Sequence, residues 1–94
     1  MDELLLSKIR LGIVAALLTA DWASFASLQR SLQTTQGNLA AHLAKLVEAG
    51  YIDEQKLFVD RRPQTRYSLT VAGRAAFAAH VGEMQRLLAS GGPS

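Results

Sequence analysis

A chain of 94 residues, 49% hydrophobic and 19% charged, is one folded domain that buries only roughly 60–65% of its unfolded surface, so pairing with a second copy would add to its stability. With no cysteine it builds neither a disulfide framework nor a thiolate metal site, and two histidines far apart in sequence leave a metal centre little to form on. A net charge of +2 is a weak field for attracting a polyanion, so the placement of charge matters more; seven of the ten cations are arginine, whose planar fork suits phosphates and base edges.

Asp2 to Leu6 opens with acids that suit a helix N-terminus and continues into three leucines. Three consecutive leucines do not all face one core, so some are expected to meet another element or another chain. Ser7 is the expected cap of a helix running through Ala20, with Ile9, Ile13, Ala16 and Leu17 as its inner stripe and Lys8, Arg10 and Gly12 off it. The apolar run Leu11 to Leu18 is far short of the ~20 residues of a membrane span, lacks a cleavage site and is closed by Asp21, so it reads as a buried core helix with the cytoplasm as default address. Ala20 to Ala23 breaks the period and reads as a turn, with Trp22 as a lid over the core. Ser24 is the expected N-cap of a short second helix ending at Leu32, in which Phe25, Leu28 and Leu32 fall at i, i+3 and i+7.

After a tight turn at Gln33 and Thr34, the spacing predicts a helix over 35–49, capped by Thr35 and stopped by Gly50. Leu39, Leu43, Leu46 and Val47 form its apolar stripe, which leaves Gly37, Asn38, Ala41, Lys45 and Glu48 on the opposite arc and His42 on the border. That arc is small and amide-bearing near its start. Short side chains let a backbone approach a groove, amides bond base edges, and a cation such as Lys45 meets phosphate. A short helix, a brief turn and a capped helix make the outline of a helix-turn-helix.

Beyond Gly50 the pattern turns extended. Tyr51 to Val59 and Thr65 to Leu69 read as two strands of a hairpin, with Asp60 to Gln64 between them and Pro63 at the tip because proline cannot donate to a ladder. The tip carries Arg61 and Arg62, and Arg66 lies on the returning strand. Thr70 then caps a long last helix, Val71 to about Ala89, roughly 28 Å long. In it Phe77, Val81, Met84 and Leu88 recur at spacings of four, three and four, a seam for helix-on-helix packing that outruns the small core. Residues 1–89 form the domain, and the tail Ser90 to Ser94 (SGGPS) is expected to be disordered.

These pieces together resemble the small single-domain winged-helix transcriptional regulators of the MarR/ArsR-like group. The resemblance rests on Ile9 to Ile13, Phe25 to Leu28, Thr35 to Leu43, Leu46 to Ile52, Asp60 to Thr65 and Leu69 to Gly73, in order and at the right spacing, and it covers about residues 4 to 88. It implies a mainly α fold with a small β-hairpin: a winged helix-turn-helix with a long C-terminal dimerisation helix. It implies a homodimer that binds double-stranded DNA at a palindromic operator, recognition helix 35–49 in the major groove and wing 59–66 on the flanking backbone or minor groove. Carried over residue by residue, Thr35, Gln36, Gly37, Asn38, Ala41, His42 and Lys45 would face the groove, and Arg61, Arg62 and Arg66 would be wing contacts. Leu4, Leu5, Phe77, Val81, Met84 and Leu88, with help from Leu6, would join the dimer. Some members of the group sense metals or small ligands; this chain lacks the cysteines and nothing in it marks a ligand pocket, so no cofactor or metal is expected, no sensing function is carried over, and a small-molecule effector is left open.

Two other readings compete. A winged helix also serves as a protein–protein interaction adaptor without DNA binding. An enzyme is the weakest reading, since no arrangement sets a nucleophile beside a base; His42 and His80 read as structural or surface residues.

Overall fold

A computed structural model describes residues 2–91, and in it the local chemistry of the four caps is realised. A single 3₁₀ turn, Glu3–Leu6, leads into α1 (Lys8–Leu18), a two-residue strand β1 (Ala23–Ser24), α2 (Phe25–Leu32), α3 (Gln36–Glu48), β2 (Ile52–Val59), β3 (Arg62–Leu69) and α4 (Val71–Ala89). Ser7, Ser24, Thr35 and Thr70 each turn a side-chain oxygen to a first-turn amide, at 3.3, 3.1, 3.1 and 3.0 Å. Each such cap contributes about 1 kcal/mol. Gln33 closes α2 in the left-handed region (φ 51°), its amide donating to the Gln29 carbonyl at 3.0 Å, and Gly50 (φ 78°) does the same service after α3.

The core sits where α1 crosses the other elements. Ile13, Val14 and Leu17 of α1 meet Leu28, Leu39, Leu43, Leu46, Ile52 and Tyr67, with Leu5 closing the end. Val14 lies outside the narrow stripe expected for α1. It is buried because α1 packs against α2, α3, α4 and β3 at once, which needs a wider apolar arc than a helix covered on one side.

Two expectations about the extended part are corrected. The sheet has three strands in the order β1-β3-β2, not two: α1 ends at Leu18 instead of Ala20, and the chain then extends so that Ala23 and Ser24 pair with Tyr67 and Arg66. Pro63 is not at the tip but inside β3, opposite Phe58. The loop is only Asp60 and Arg61, closed by the pair Val59–Arg62. In an antiparallel ladder hydrogen-bonded and non-bonded pairs alternate, so the pair next to the closing one is non-bonded. The nitrogen of Pro63 therefore faces away from β2, on the side where β1 does not reach, and no ladder bond is lost. Both loop residues have positive φ, 51° at Asp60 and 66° at Arg61, as a two-residue I′ turn requires. Without glycine this conformation costs about 1–2 kcal/mol per residue.

At the far end, α4 is anchored by its first turn. The Thr70 amide and hydroxyl donate to the carbonyls of Tyr51 and Gly50, at 3.0 and 2.6 Å. Of the helix's 19 residues only Gly73 and His80 are buried. The molecule is accordingly elongated, 57 × 26 × 22 Å. Ser90 and Gly91 finish α4 in a turn, Ser90 donating from its amide to the Arg86 carbonyl; the rest of the expected tail, 92–94, lies outside the described residues. Among the described residues no helix is long and apolar enough to cross a membrane.

Candidate nucleic-acid interface

Helix α3 is held by Leu39, Leu43 and Leu46, all essentially inaccessible, and this fixes which arc it shows to the outside. Thr35, Gln36, Gly37, Asn38, Ala41 and Lys45 are exposed, and His42 is half-buried at the edge. Thr35 uses its hydroxyl for the cap. Asn38 donates one amide hydrogen to the Thr34 hydroxyl at 2.7 Å, which orients the side chain and leaves its carbonyl and second hydrogen open.

Gly37 is informative because the fold does not need it. A Cβ added there meets nothing within 4 Å, and its φ is not in the left-handed region. In the middle of a helix glycine is worse than alanine by about 0.5–1 kcal/mol, and in the first turn, where Gly37 stands, by a smaller amount of the same sign. A bare backbone at this point has value only to something lying against the helix from outside. Gly37→Ala should therefore stabilise the domain by up to about 0.5 kcal/mol, measured by urea denaturation, while weakening whatever interaction this face makes. Unchanged binding in the variant would show that the gap has no such purpose.

The wing stands beside this face. A cleft of about 760 Å³ separates them, bounded by Gln36 and Ala40 on α3, Phe25 on α2 and Val59, Arg62 and Pro63 on the wing. Arg61 and Arg62 are exposed at the wing's turn, and with Lys45 they have no carboxylate partner among the described residues. Cations left unpaired in this way remain available to an external anion.

Arg66, expected with them, is placed differently. It lies near the wing's base opposite Ser24, half-buried, with its guanidinium 3.7 Å from the centroid of the Trp22 ring and its Nε donating to Gln64 at 2.7 Å. Trp22 is thus not a lid over the core: it is 44% exposed and serves as the platform under Arg66.

Three features of this surface escaped the sequence reading. Phe58 is 76% exposed on the wing, across from Pro63. Lys56, two strand positions in from it and so on the same face, is also exposed. Arg10 of α1 donates from Nη1 to His42 Nδ1 at 2.9 Å, while its Nε holds the Leu4 carbonyl at 2.7 Å. Burial, and then the charges of Arg10 and Lys45, hold His42 below the usual histidine range, so its ring is neutral near pH 7. The alternating pattern of β2 marks Phe58, but an Arg–His contact spanning 32 positions leaves no local trace.

A second surface lies on α4. Together with Leu11 and Ala15 of α1, Phe77, Val81, Met84 and Leu88 line a groove of about 330 Å³. Met84 is 40% exposed, Leu88 75% and Leu6 60%. Leu4 is half-buried, whereas Leu5 is fully enclosed in the core of its own chain and is not free to meet another. His80 is buried on the inner side of this groove, its Nδ1 without a partner among the described residues. No group of three or more residues that could hold a metal ion occurs among the described residues.

Comparison with known proteins agrees with this geometry. A family model described as a winged helix DNA-binding domain matches residues 9–88. An uncharacterized protein of Methanocaldococcus jannaschii is 35% identical over 81 residues, 86% of this chain and 88% of the relative. Among solved structures, a transcriptional regulator homologue from Pyrococcus horikoshii OT3 superposes with a TM-score of 0.88 at 28% identity, over 95% of this chain and 88% of the other. PadR of Bacillus subtilis, solved in complex with operator DNA, shares the fold at a TM-score of 0.71 and 14% identity, over 80% of this chain and 48% of PadR.

Proposed function

The chain belongs to the winged helix DNA-binding domain family, and from this we propose that it is a sequence-specific, double-stranded DNA-binding transcriptional regulator of the MarR/ArsR-like kind, acting as a homodimer on a palindromic operator. The observation that carries the reading is the exposed arc of α3, bare at Gly37 and amide-bearing at Gln36 and Asn38, beside a wing with two arginines that have no carboxylate partner among the described residues. In this reading α3 enters the major groove, where Asn38 and Gln36 read adenine edges. Lys45, Arg61 and Arg62 hold phosphates and set the register. Arg66 supports the wing from its base. PadR, of the same fold, was solved in complex with operator DNA, which is in keeping with a DNA-binding use of this fold.

The homodimer part rests on α4. Its apolar seam continues past the core into Met84, Leu87 and Leu88, all exposed, and a two-fold partner would cover it and place two recognition helices about one DNA turn, roughly 34 Å, apart.

The test separates the two kinds of contact. Arg62→Ala should lower affinity for all duplexes about equally and flatten the log–log salt dependence by about one unit. Asn38→Ala should instead relax discrimination at one or two base positions, by roughly 1–3 kcal/mol at each. An adaptor that does not bind DNA would show no salt-sensitive duplex binding in either the wild type or the variants, and titration over a range of salt decides it.

A further inference from the structure

We infer that Arg10 fixes His42 as a hydrogen-bond donor to the DNA backbone, so that a residue of α1 sets the chemistry of one contact of the recognition helix. The inference rests on the DNA-binding reading above and adds the role of these two side chains. A guanidinium only donates. With Arg10 Nη1 at 2.9 Å from His42 Nδ1, that nitrogen is the acceptor. A neutral imidazole carries one hydrogen, so it sits on Nε2. The second contact of Arg10, from Nε to the Leu4 carbonyl at 2.7 Å, holds the guanidinium in place from the other side.

The outer nitrogen has work left to do. His42 Nε2 has no hydrogen-bond partner among the described residues, and it is not among the buried unpartnered atoms, so it opens to solvent. It lies at the border of the exposed arc, three residues before Lys45, a cation without a carboxylate partner among the described residues. A donor flanked by Arg10 and Lys45 fits an anionic oxygen, and phosphate is the anion a recognition helix meets at its edge. Burial and the two neighbouring charges keep the ring neutral, so the contact is a directed hydrogen bond and not a mobile charge.

Substitutions that imitate one ring nitrogen at a time test this on the whole protein. A glutamine amide reaches the place of Nε2, an asparagine amide only that of Nδ1. With mixed-sequence duplex DNA at low salt as the probe, His42→Gln should bind within a few-fold of wild type. His42→Asn should bind about tenfold more weakly, the scale of one hydrogen bond to a charged group. In the free protein, nitrogen NMR of labelled histidine should show His42 protonated at Nε2 alone, and Arg10→Met should give a mixture of tautomers and a loss of affinity similar to that of His42→Asn. A hydrogen on Nδ1 in the wild type, or His42→Asn binding as tightly as wild type, overturns the inference and leaves the DNA-binding reading intact. If the wild type holds no duplex at low salt, the DNA-binding reading itself fails, and the phosphate contact with it. If Arg10→Met does not fold, the two His42 variants and the wild-type spectrum still decide.

Discussion

Val81→Glu together with Met84→Glu should turn the protein into a monomer and weaken its hold on operator DNA by about 10²-fold, although neither residue touches DNA in this account. Both lie in the α4 groove, and placing two carboxylates there puts unpaired charge into a seam that otherwise closes by burying apolar surface. The loss in DNA affinity follows from connectivity: two half-site readers joined through α4 bind the second half-site at high effective concentration, an advantage of roughly 10²–10⁴ that separate monomers lack. The shape of the chain supports the pairing. Its radius of gyration is 14.7 Å, where roughly 12 Å is usual for a compact chain of this length, and the excess comes from elements that reach beyond the core. The competing arrangement is an α4 that needs no partner. Sedimentation of the wild type as a 10.2 kDa monomer at micromolar concentration would favour it and sink the dimer.

Gly73→Ala should have the opposite kind of consequence, on stability. An added Cβ would come within 2.1 Å of the Tyr51 carbonyl oxygen and 2.9 Å of its carbon, and these are backbone atoms that cannot swing aside. The same carbonyl accepts the Thr70 amide, so moving it also loosens the cap that starts α4. A loss of about 3 kcal/mol is expected, at the upper end of overpacking effects. That is a large part of the 5–15 kcal/mol that stabilises an ordinary domain. Denaturant midpoints of Gly73→Ala and Gly37→Ala should move in opposite directions from wild type. If Gly73→Ala unfolds within about 1 kcal/mol of wild type, the close approach of α4 to Tyr51 is relaxed in solution.

What could be read from the sequence was local chemistry. Ser7, Ser24, Thr35 and Thr70 were recognisable as caps because a hydroxyl just before an apolar period has one obvious use. The last helix, expected from Val71 to about Ala89, spans Val71–Ala89, because its start is marked by a cap and its end by a Ser-Gly-Gly stop. The exposed arc of α3 followed from the same periodicity, since three buried leucines decide what remains outside. The failures all concern partners distant along the chain. A two-residue strand at Ala23 has too few positions to show alternation, and only the reach of β3 calls it into the sheet. Pro63 argued for a loop tip until the register showed which side of the strand its nitrogen faces. Nothing near Arg66 announces Trp22, and nothing near Leu5 says that it, and not Leu6, turns inward. Arg10 and His42 likewise meet only because α1 lies across α3.

Selection of bound duplexes from a random DNA pool by the wild-type protein tests the central claim most directly. The account predicts enrichment of an inverted repeat whose half-site centres lie about one helical turn apart, near 10 base pairs, with affinity for the recovered sequence falling steeply as salt rises. Recovery of no enriched sequence, with binding absent or indifferent to salt, would contradict it.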